Sequence, residues 1–579
     1  MRAVTKPALV VAVTLLIGAD PPRAAADWSP SGLPVCTAAT TQVHAVLASD
    51  GADGAIVAWQ DFRFPRVNVF AQHVLTSGEV DPAWPANGRA LLNDPAAIAN
   101  ADGGQTVPQI VPDGSGGAIV AWQDLRTGAN DIDLFAQHIQ ASGAVDPAWP
   151  ANGTALVALA GVQKTMAMVP DGDGGAIVAW ADSRAAIAVF QIFAQHVLAS
   201  GVVDPRWPAN GLAITASGPQ ELPAITTDGS GGAIIAWGGQ PSGSADQDVY
   251  AQRILNSGLV APGWPVNGRA LCTAAGGQGR ATIVPDGAHG AIVAWTDGRL
   301  VESVHIFATH VLGSGAVDPT WPVDGRRLSD AGVLESRPLA VPDGEGGAVV
   351  TWQAFTVHIN MYAQHVIATG VVDPAWPAGG RALSLSDRDG TFADIASDGA
   401  GGAIVAWDEN DDVMVQHVLR SGALDPDYPA NGRPVVSVAS SQADVALIAT
   451  GGGGAIAAWT DNRNADLDIF ALQVLDAGTT GVPGGAPGEI AFLRPSPIPA
   501  RGVVTLRFTL SRAAAVRLAI YDASGRRVRE LTAGTEAAGD HAVGWDLRDG
   551  QGRAVGAGLY FARLEADGRQ LTQKLAALE

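Results

Sequence analysis

The stretch Asp113-Gly114-Ser115-Gly116-Gly117-Ala118-Ile119-Val120-Ala121-Trp122 returns eight times along the chain with light variation. The tryptophans that close its copies are separated by 63, 58, 57, 58, 57, 55 and 52 residues, which gives a repeat of about 57 residues. A period of this size is typical of a solenoid, a propeller or another repeat array. The eight closing tryptophans are Trp59, Trp122, Trp180, Trp237, Trp295, Trp352, Trp407 and Trp459.

One repeat contains four short segments with strand character, each bounded by Gly, Pro, Asn or Asp. In the second copy they are residues 109–112, 118–122, 134–139 and 154–157. The segment 118–122 is apolar on both faces, whereas a half-exposed strand would alternate apolar and polar residues. Radially stacked sheets bury both faces of such a strand. The sequence therefore predicts an all-β, eight-bladed β-propeller, without any significant helix.

A second aromatic series repeats in the same phase as the first. We interpret both series as core residues and wedges between blades, with an aromatic ligand platform as the alternative. The series is Trp28, Trp84, Trp149, Trp207, Trp264, Trp321, Trp376 and Tyr428.

The two ends of the repeat region are complementary. The chain enters at residues 28–35, which match the Trp-Pro-x-Asn-Gly segment of the other repeats, and the last repeat lacks that segment. An N-terminal strand that completes the eighth blade would remove the free edges of the ring. We therefore predict that residues 28–35 lie beside residues 470–475.

Composition divides the chain into four parts. Residues 1–26 have a basic start, a short apolar run and an Ala-x-Ala site, which predict a signal peptide and an exported protein, secreted or at the cell surface; a short membrane anchor is the alternative. Residues 27–478 form the propeller, 479–489 a Gly/Pro linker, and 490–579 a small β-sandwich. With 57 acidic and 35 basic residues, the chain is unsuited to binding nucleic acid.

The last part carries a family resemblance. Residues 520–528, the motif 545–549 (Trp-Asp-Leu-Arg-Asp) and 558–561 (Gly-Leu-Tyr-Phe) resemble the FlgD-type Ig-like domain. They are also similar to the C-terminal sorting domains of type IX secretion substrates. The resemblance implies an exported protein, with outer-membrane secretion or attachment machinery as a partner.

An Asp-x-Arg pair follows the strand tryptophan in five repeats. Alternation along a strand places both side chains on one face. We interpret the pair as a structural ion pair or turn clamp between blades, and carboxylate binding by the arginines is the alternative. The pairs are Asp61/Arg63, Asp124/Arg126, Asp182/Arg184, Asp297/Arg299 and Asp461/Arg463.

The sequence contains two sets of residues that are candidates for metal binding. Six histidines at one repeat position would converge on a metal only if their strand were innermost, and we expect it to be an outer one. The Asp-Gly turns, such as 171–175, favour hairpins over calcium sites because EF-hand spacing is absent. No cofactor is expected, with Ca²⁺ as the alternative. The histidines are His73, His138, His196, His310, His365 and His417.

The function that we expect is non-catalytic binding or scaffolding by a monomer, with a glycan or a protein as extracellular ligand. The repeat loosely resembles sialidase-like propeller repeats, which implies glycan hydrolysis or lysis as an alternative. Every propeller tyrosine, however, occupies a repeat position, and catalysis needs unlike residues with separated pKa values. We therefore assign no catalytic or cofactor-binding residue. A purely structural envelope or adhesion role is the third hypothesis.

Overall fold

The computed structural model describes residues 28–92, 104–128, 130–186, 189–215, 219–240, 246–300, 303–330, 334–474, 491–492, 504–510, 514–522, 526–536, 539–566 and 569–577. The predicted signal peptide (1–26) and linker (479–489) lie outside these residues. All regular structure in the described part is β-strand, as predicted. None of the described segments forms a helix that is long and apolar enough to cross a membrane.

The propeller contains 32 strands. In chain order they are β1 (Leu33–Cys36), β2 (Gln42–Ser49), β3 (Ala55–Asp61), β4 (Asn68–Val74), β5 (Arg89–Ala90), β6 (Gln105–Pro112), β7 (Ala118–Asp124), β8 (Asp133–Ile139), β9 (Thr154–Val157), β10 (Gln163–Pro170), β11 (Ala176–Ala186), β12 (Val189–Val197), β13 (Leu212–Ala213), β14 (Gln220–Thr227), β15 (Ala233–Gly239), β16 (Asp248–Ile254), β17 (Arg269–Cys272), β18 (Gln278–Pro285), β19 (Ala291–Asp297), β20 (His305–Val311), β21 (Arg326–Arg327), β22 (Leu334–Pro342), β23 (Ala348–Phe355), β24 (Ile359–Val366), β25 (Arg381–Ala382), β26 (Gly390–Ser397), β27 (Ala403–Glu409), β28 (Asp412–Val418), β29 (Arg433–Pro434), β30 (Gln442–Ala449), β31 (Ala455–Asp461) and β32 (Asp468–Val474).

These strands form eight antiparallel four-stranded sheets, one per repeat, which we call blades 1 to 8. Blades 1 to 7 each use four consecutive strands, from β2–β5 to β26–β29. Blade 8 has the order β1-β32-β31-β30, with Leu33 opposite Ala471 and Pro34 opposite Phe470. The prediction that the N-terminal strand closes the ring is therefore confirmed. The first strand of each blade lies beside that of the next, and β30 lies beside β2, so these eight inner strands surround the axis.

The two aromatic series occupy different places in the propeller. The eight tryptophans of the first series are fully buried inside their blades. Those of the second series join neighbouring blades: Trp84 of blade 1 donates its indole N–H to the carbonyl of Ala141 in blade 2 at 3.0 Å. Gly143 in that turn has a φ of +77°, and a Cβ there would lie 2.7 Å from the Trp84 ring. Glycine therefore permits the close contact between blades.

The C-terminal part is a two-sheet sandwich around Trp545, which is fully buried. It was predicted as a β-sandwich, but β36, an edge strand with Arg527 and Glu530 exposed and Val528 and Leu531 packed on the core, was not predicted. One sheet has the order β33-β34-β37 and the other β36-β35-β38-β39. The strands are β33 (Ala491–Phe492), β34 (Val504–Leu510), β35 (Ala514–Asp522), β36 (Arg527–Glu536), β37 (Gly539–Trp545), β38 (Gly558–Ala566) and β39 (Arg569–Ala577).

Candidate ligand-binding site in the axial channel

Each of the eight inner strands is interrupted by a β-bulge near its start, where the pairing with the next strand shifts register. Most inner strands have a glutamine at or near their start, such as Gln105 in β6. The residue two positions after this glutamine, or after its equivalent, has a positive φ between 47° and 56° in every blade. Such a conformation is strained for most residues other than glycine. The eight residues, which we call the bulge ring, are His44, Val107, Thr165, Leu222, Arg280, Arg337, Phe392 and Asp444.

The bulge ring surrounds a cavity of about 680 Å³ on the propeller axis. All eight residues line it, and every blade contributes. Their side chains differ from blade to blade, while the sequence around them repeats closely. A cavity of this size is within the range of small-molecule sites, about 300–1,000 Å³. The axial channel is therefore the place where eight near-identical blades present unlike chemistry.

The bulge ring lies towards one face of the propeller. The inner strands begin beside the loops that join the second and third strands of the preceding blade. The backbone N–H of Gln105, for example, donates to the carbonyl of Val67 in blade 1 at 2.8 Å. Because the bulge follows two residues later, the ring is near the face that carries these loops. The Asp-Gly turns lie at the opposite end of the inner strands.

The ring has an acidic side at the junction of blades 8 and 1. His44 Nδ1 lies 3.3 Å from Asp444 Oδ2, and the backbone N–H of Asp444 donates to Asp408 Oδ2 of blade 7 at 2.9 Å. Burial, which outweighs these backbone hydrogen bonds, and the Asp444 carboxylate raise the pKa of Asp408 to about 7. The backbone N–H of Leu447 donates to Asp394 at 2.8 Å. These two aspartates thus join blades 7 and 8.

The basic side of the ring lies at blades 5 and 6. Arg280 and Arg337 are exposed and face the cavity from adjacent blades. The Arg337 guanidinium carbon is 5.2 Å from the centre of the Phe392 ring, the bulge residue of blade 7. Phe392 is 54% exposed, and apolar side chains at other ring positions are exposed too, Val107 at 43% and Leu222 at 39%. Apolar surface exposed inside a channel is available to a ligand.

The predicted Asp-x-Arg pairs lie away from the axis. Asp182 is fully buried and accepts from the Trp180 indole N–H at 2.8 Å and from Arg184 Nη2 at 2.5 Å. The same guanidinium donates to the carbonyl of Asn210 and lies 3.9 Å from the centre of the Phe193 ring. All of these contacts are inside blade 3. The pair braces the strands of one blade and does not join neighbouring blades.

The other four pairs repeat this arrangement, and two of them also contact a neighbouring blade: Arg63 donates to Cys36 Sγ of blade 8 at 3.1 Å, and Arg299 donates to Cys272 Sγ of blade 4 at 3.0 Å. In each, the aspartate is buried and binds both the tryptophan of its strand and the arginine two residues later; they are Asp61/Arg63, Asp124/Arg126, Asp297/Arg299 and Asp461/Arg463. Arg463 also donates to the carbonyl of Ser31 at 2.5 Å, which ties the N-terminal segment into blade 8. Blades 4 and 6 lack the acid, and there the indole nitrogens of Trp237 and Trp352 are buried without a hydrogen-bond partner among the described residues.

For the Asp124/Arg126 pair the predicted geometry is wrong in two respects, whereas in blade 3 strand β11 continues through both Asp182 and Arg184. We expected Arg126 to share a strand face with Asp124 and to form a clamp between blades. Strand β7 instead ends at Asp124, which accepts the backbone N–H of Arg126 at 3.0 Å and so stabilises a turn out of the strand. The Arg126 guanidinium then folds back onto Asp124, at 2.7 and 2.6 Å, and onto the Phe135 ring at 3.7 Å. Its partners therefore all belong to blade 2.

Arg126 also differs from the other four arginines in its burial. Its side chain is 29% exposed, against 18% or 19% for the rest. The Arg126 guanidinium donates to the carbonyl of Asn152 at 3.2 Å, whereas the equivalent bond of Arg184 measures 2.8 Å. The looser contact leaves the guanidinium more open to water, which screens its ion pair. Arg126 is therefore a half-buried brace at the edge of blade 2, and its pair contributes less than a buried one.

The six histidines lie on the third strand of their blades, away from the axis, and each is held between two aspartates of its own blade. His138 Nε2 is 2.9 Å from Asp113 in the Asp-Gly turn, and Nδ1 is 2.8 Å from Asp146. Burial opposes the imidazolium charge, but hydrogen bonds to both carboxylates outweigh it and raise the pKa of His138. The Asp113 carboxylate also accepts the backbone N–H groups of Ser115 and Gly117.

The histidines and the Asp-Gly turns therefore form a repeated Asp-His-Asp bridge, which is present in six of the eight blades. The described residues contain no group of three or more His, Cys, Asp or Glu side chains arranged to hold a metal ion. The two cysteines, Cys36 and Cys272, are buried and unpaired. Burial raises the pKa of the Cys36 thiol to about 11 and that of Cys272 to about 12.

The bulge ring was not predicted, although the sequence carries a signal for it. A glutamine such as Gln105 or Gln163 recurs at the start of most inner strands. The residue type two positions after it varies among the repeats. A position that varies in kind inside a closely repeated motif is a candidate for function. Its place on the axis, however, depends on which strand is innermost, and the repeat pattern alone does not specify that.

Residues 499–570 match the FlgD Ig-like domain family. The chain is therefore a β-propeller protein with a C-terminal Ig-like domain of this type. A search of curated proteins found no relative that matches.

Several solved structures resemble the chain weakly. An α-L-arabinanase of Penicillium chrysogenum in complex with arabinobiose is 11% identical, covers 58% of this chain and 97% of its own, and has a TM-score of 0.34. A polysaccharide lyase of family PL25, an ulvan lyase, is 11% identical over 77% and 93% of the two chains, with a TM-score of 0.37. The acylaminoacyl peptidase of Pyrococcus horikoshii is 8% identical over 75% and 59%, also with a TM-score of 0.37. At these scores the likenesses carry no argument about activity, and the propeller assignment rests on the strand pairing.

Proposed function

We propose that this protein is an exported, monomeric β-propeller that binds an extracellular ligand in its axial channel without transforming it. The observation that carries the proposal is the bulge ring: eight side chains of seven residue types surround one cavity, on a scaffold whose sequence otherwise repeats closely. A purely structural propeller would have no need for exposed phenylalanine, leucine and arginine side chains inside its channel. The C-terminal Ig-like domain is proposed to serve in sorting, attachment or spacing at the cell surface.

Binding is favoured over catalysis because the acidic groups near the channel are already engaged. Asp444 faces His44, and Asp408 and Asp394 accept backbone N–H groups of β30. A glycosidase of the common type needs two carboxyl groups that are free to reach a glycosidic bond from opposite sides. Here the carboxyl groups are gathered on one side of the channel, where they join blades.

Catalysis on a glycan remains the second candidate, and one observation favours it. The channel brings together a histidine, an aspartate and two arginines, and next to them burial raises the pKa of Asp408 to about 7. Unlike ionisable groups with separated pKa values are what acid–base chemistry requires. The candidate substrate is an extracellular polysaccharide, to be hydrolysed or cleaved by elimination.

One experiment separates the two candidates. The full chain without residues 1–26 is applied to a glycan array, with calcium and with chelator, and the retained glycans are analysed by mass spectrometry. We expect retention of an intact glycan, lost in variants of the bulge ring. Shortened glycans would establish catalysis instead. An absence of retention, together with undiminished attachment to cells by ring variants, would refute a function of the channel. Loss of retention in chelator would show that calcium takes part.

A further inference from the structure

We propose that the ligand of the channel carries a carboxylate or sulfate group on a ring, and that Arg280 and Arg337 hold this anion while Phe392 packs against the ring. The inference rests on the proposed function, because it specifies the ligand of the same channel. A free ring-bearing acid and an acidic residue of a saccharide share this chemistry.

The two arginines are the first part of the argument. They face the cavity at the same level of adjacent blades, and neither forms an ion pair or hydrogen bond with any described residue. By contrast, the arginines of the Asp-x-Arg pairs each contact a buried aspartate. Guanidinium groups bind carboxylates and sulfates through parallel hydrogen bonds. Unpaired guanidinium groups inside a cavity, in a chain of net charge −22, point to an anionic ligand.

The distribution of charge around the cavity is the second part. Asp444 is the one acidic side chain among the lining residues, against the two arginines. It lies on blade 8, while the arginines lie on blades 5 and 6, and its carboxylate faces His44 at 3.3 Å. The channel therefore does not neutralise its own arginines. An incoming anion is drawn to the side of blades 5 and 6 and away from Asp444.

Phe392 supplies the third part. Its ring is more than half exposed to the channel and lies beside Arg337, with 5.2 Å between the guanidinium carbon and the ring centre. An aromatic face offers a large, rigid contact surface for a flat or apolar ring. A ligand ring packed on Phe392 would place an attached anionic group next to Arg337. The adjacent blade then provides Arg280 as the second donor.

The test uses isothermal titration calorimetry with the full chain without residues 1–26. The probes are galacturonic acid, its linear trimer, the corresponding neutral galactose trimer and inorganic sulfate. We expect an acidic sugar to bind at least about tenfold more tightly than the neutral trimer, with sulfate as a weak competitor. Binding of the monomer identifies a free ring acid as sufficient, and binding of the trimer alone identifies a saccharide. The affinity should fall with added salt.

The variants assign the effect to residues. Arg280→Gln and Arg337→Gln should each lower the affinity for the acidic probe by about tenfold or more, and Phe392→Ala should lower that affinity several-fold. Arg420→Gln makes the same charge change in a turn between the third and fourth strands of blade 7, outside the cavity lining, and should leave affinity unchanged. Thermal melts of every variant verify that the propeller is folded.

The outcomes that overturn the inference differ from those that overturn the proposed function. Equal affinity for acidic and neutral trimers, undiminished binding by both arginine variants, or no binding of any acidic probe overturns the anion assignment. The proposed function is tested separately by the double variant Thr165→Trp/Leu222→Trp, which fills the channel from blades 3 and 4. A ligand from the glycan array that still binds this folded variant is not bound in the channel, and the proposed function then fails.

Discussion

Replacing Asp182 tests the Asp-x-Arg clamp that braces five of the blades from inside. The carboxylate is fully buried and accepts the Trp180 indole N–H, the backbone N–H of Arg184 and its guanidinium. In Asp182→Ala the indole N–H loses its acceptor, and the guanidinium keeps only the Asn210 carbonyl and the Phe193 ring. Breaking a buried pair by removing one partner costs about 3–5 kcal/mol. The Arg184 side chain is 19% exposed, so we expect about 3 kcal/mol.

Arg184→Ala should cost less. It removes the guanidinium contacts and the interaction with Phe193, but Asp182 keeps two N–H donors, and we expect a loss of about 2 kcal/mol. The double variant leaves neither charge unpaired. It should therefore cost clearly less than the sum of the single variants, with a coupling energy of at least about 1 kcal/mol.

The assay is urea unfolding of the full chain, followed by tryptophan fluorescence and circular dichroism. Asp173→Ala is the matched control, because Asp173 is an exposed aspartate in the turn of the same blade, and its loss should change stability by less than about 0.5 kcal/mol. Single-variant costs that add without coupling would refute the clamp. So would an Asp182→Ala protein as stable as the control.

Three further predictions concern pH, ring closure and the thiols. Hydrogen bonds to two carboxylates, outweighing burial, raise the histidine pKa above 6.5 in five of the Asp-His-Asp bridges, so their stabilisation is complete below 6.5 and is lost as pH rises through the raised value. The aspartates of the Asp-Gly turns have pKa values lowered from 3.8, so their contribution to stability is lost only as pH falls below that value. The melting temperature should therefore be higher at about pH 5.5 than at about pH 8.5. The reverse order would contradict the bridges. Deleting residues 28–36 exposes the edge of β32, which should lower the melting temperature and promote self-association in light scattering; a monomer that melts normally would argue against closure by β1. Cys36 and Cys272 should resist alkylation in the native protein at about pH 8 and react in urea, as measured by mass spectrometry, whereas stoichiometric native labelling would contradict their burial and raised pKa.

Much of the fold was predictable because the features that build it repeat. The tryptophans at Trp59 and its equivalents fix the number of blades, and the match of residues 28–35 to the segment missing from the last repeat fixes the closure. The edge strand β36 was missed because its apolar residues Val528 and Leu531, which pack against the sandwich core, are three positions apart and do not alternate with polar ones. A short strand without a period of two gives little sequence signal.

The partners of a recurring pair were harder to predict than its recurrence. Asp124 and Arg126 were expected on one strand face, because the apolar strand before them suggested that it continued through both. The strand ends at Asp124, since that carboxylate accepts the backbone N–H of Arg126 and competes with the sheet hydrogen bonds. Spacing of two residues fits both a strand and such a turn, so the sequence does not distinguish a clamp between blades from one within a blade.

The candidate site was not predictable in the same way. Arg280 and Phe392 are 112 residues apart and occupy the same position of two repeats, but only the arrangement of inner strands around the axis brings them to one cavity. The Asp-x-Arg pairs and the histidines were weighed as candidate sites because they recur in most repeats. Parts of a repeated scaffold recur in the same way, and the structure shows these motifs bracing blades, with Arg63 and Arg299 also bonded to cysteines of neighbouring blades.

The backbone conformation of the bulge ring also distinguishes this candidate site from the repeated scaffold. A positive φ costs an ordinary residue roughly 1–2 kcal/mol, and β-branched residues such as Val107 and Thr165 suit it least. Glycine avoids this cost, and the chain uses it readily at positive φ elsewhere, as at Gly114 and Gly116 in the neighbouring turn. Yet glycine occupies none of the eight bulge positions, although the chain contains 71 glycines. The strain is therefore retained together with the side chains that project into the channel, as expected where those side chains contact a ligand.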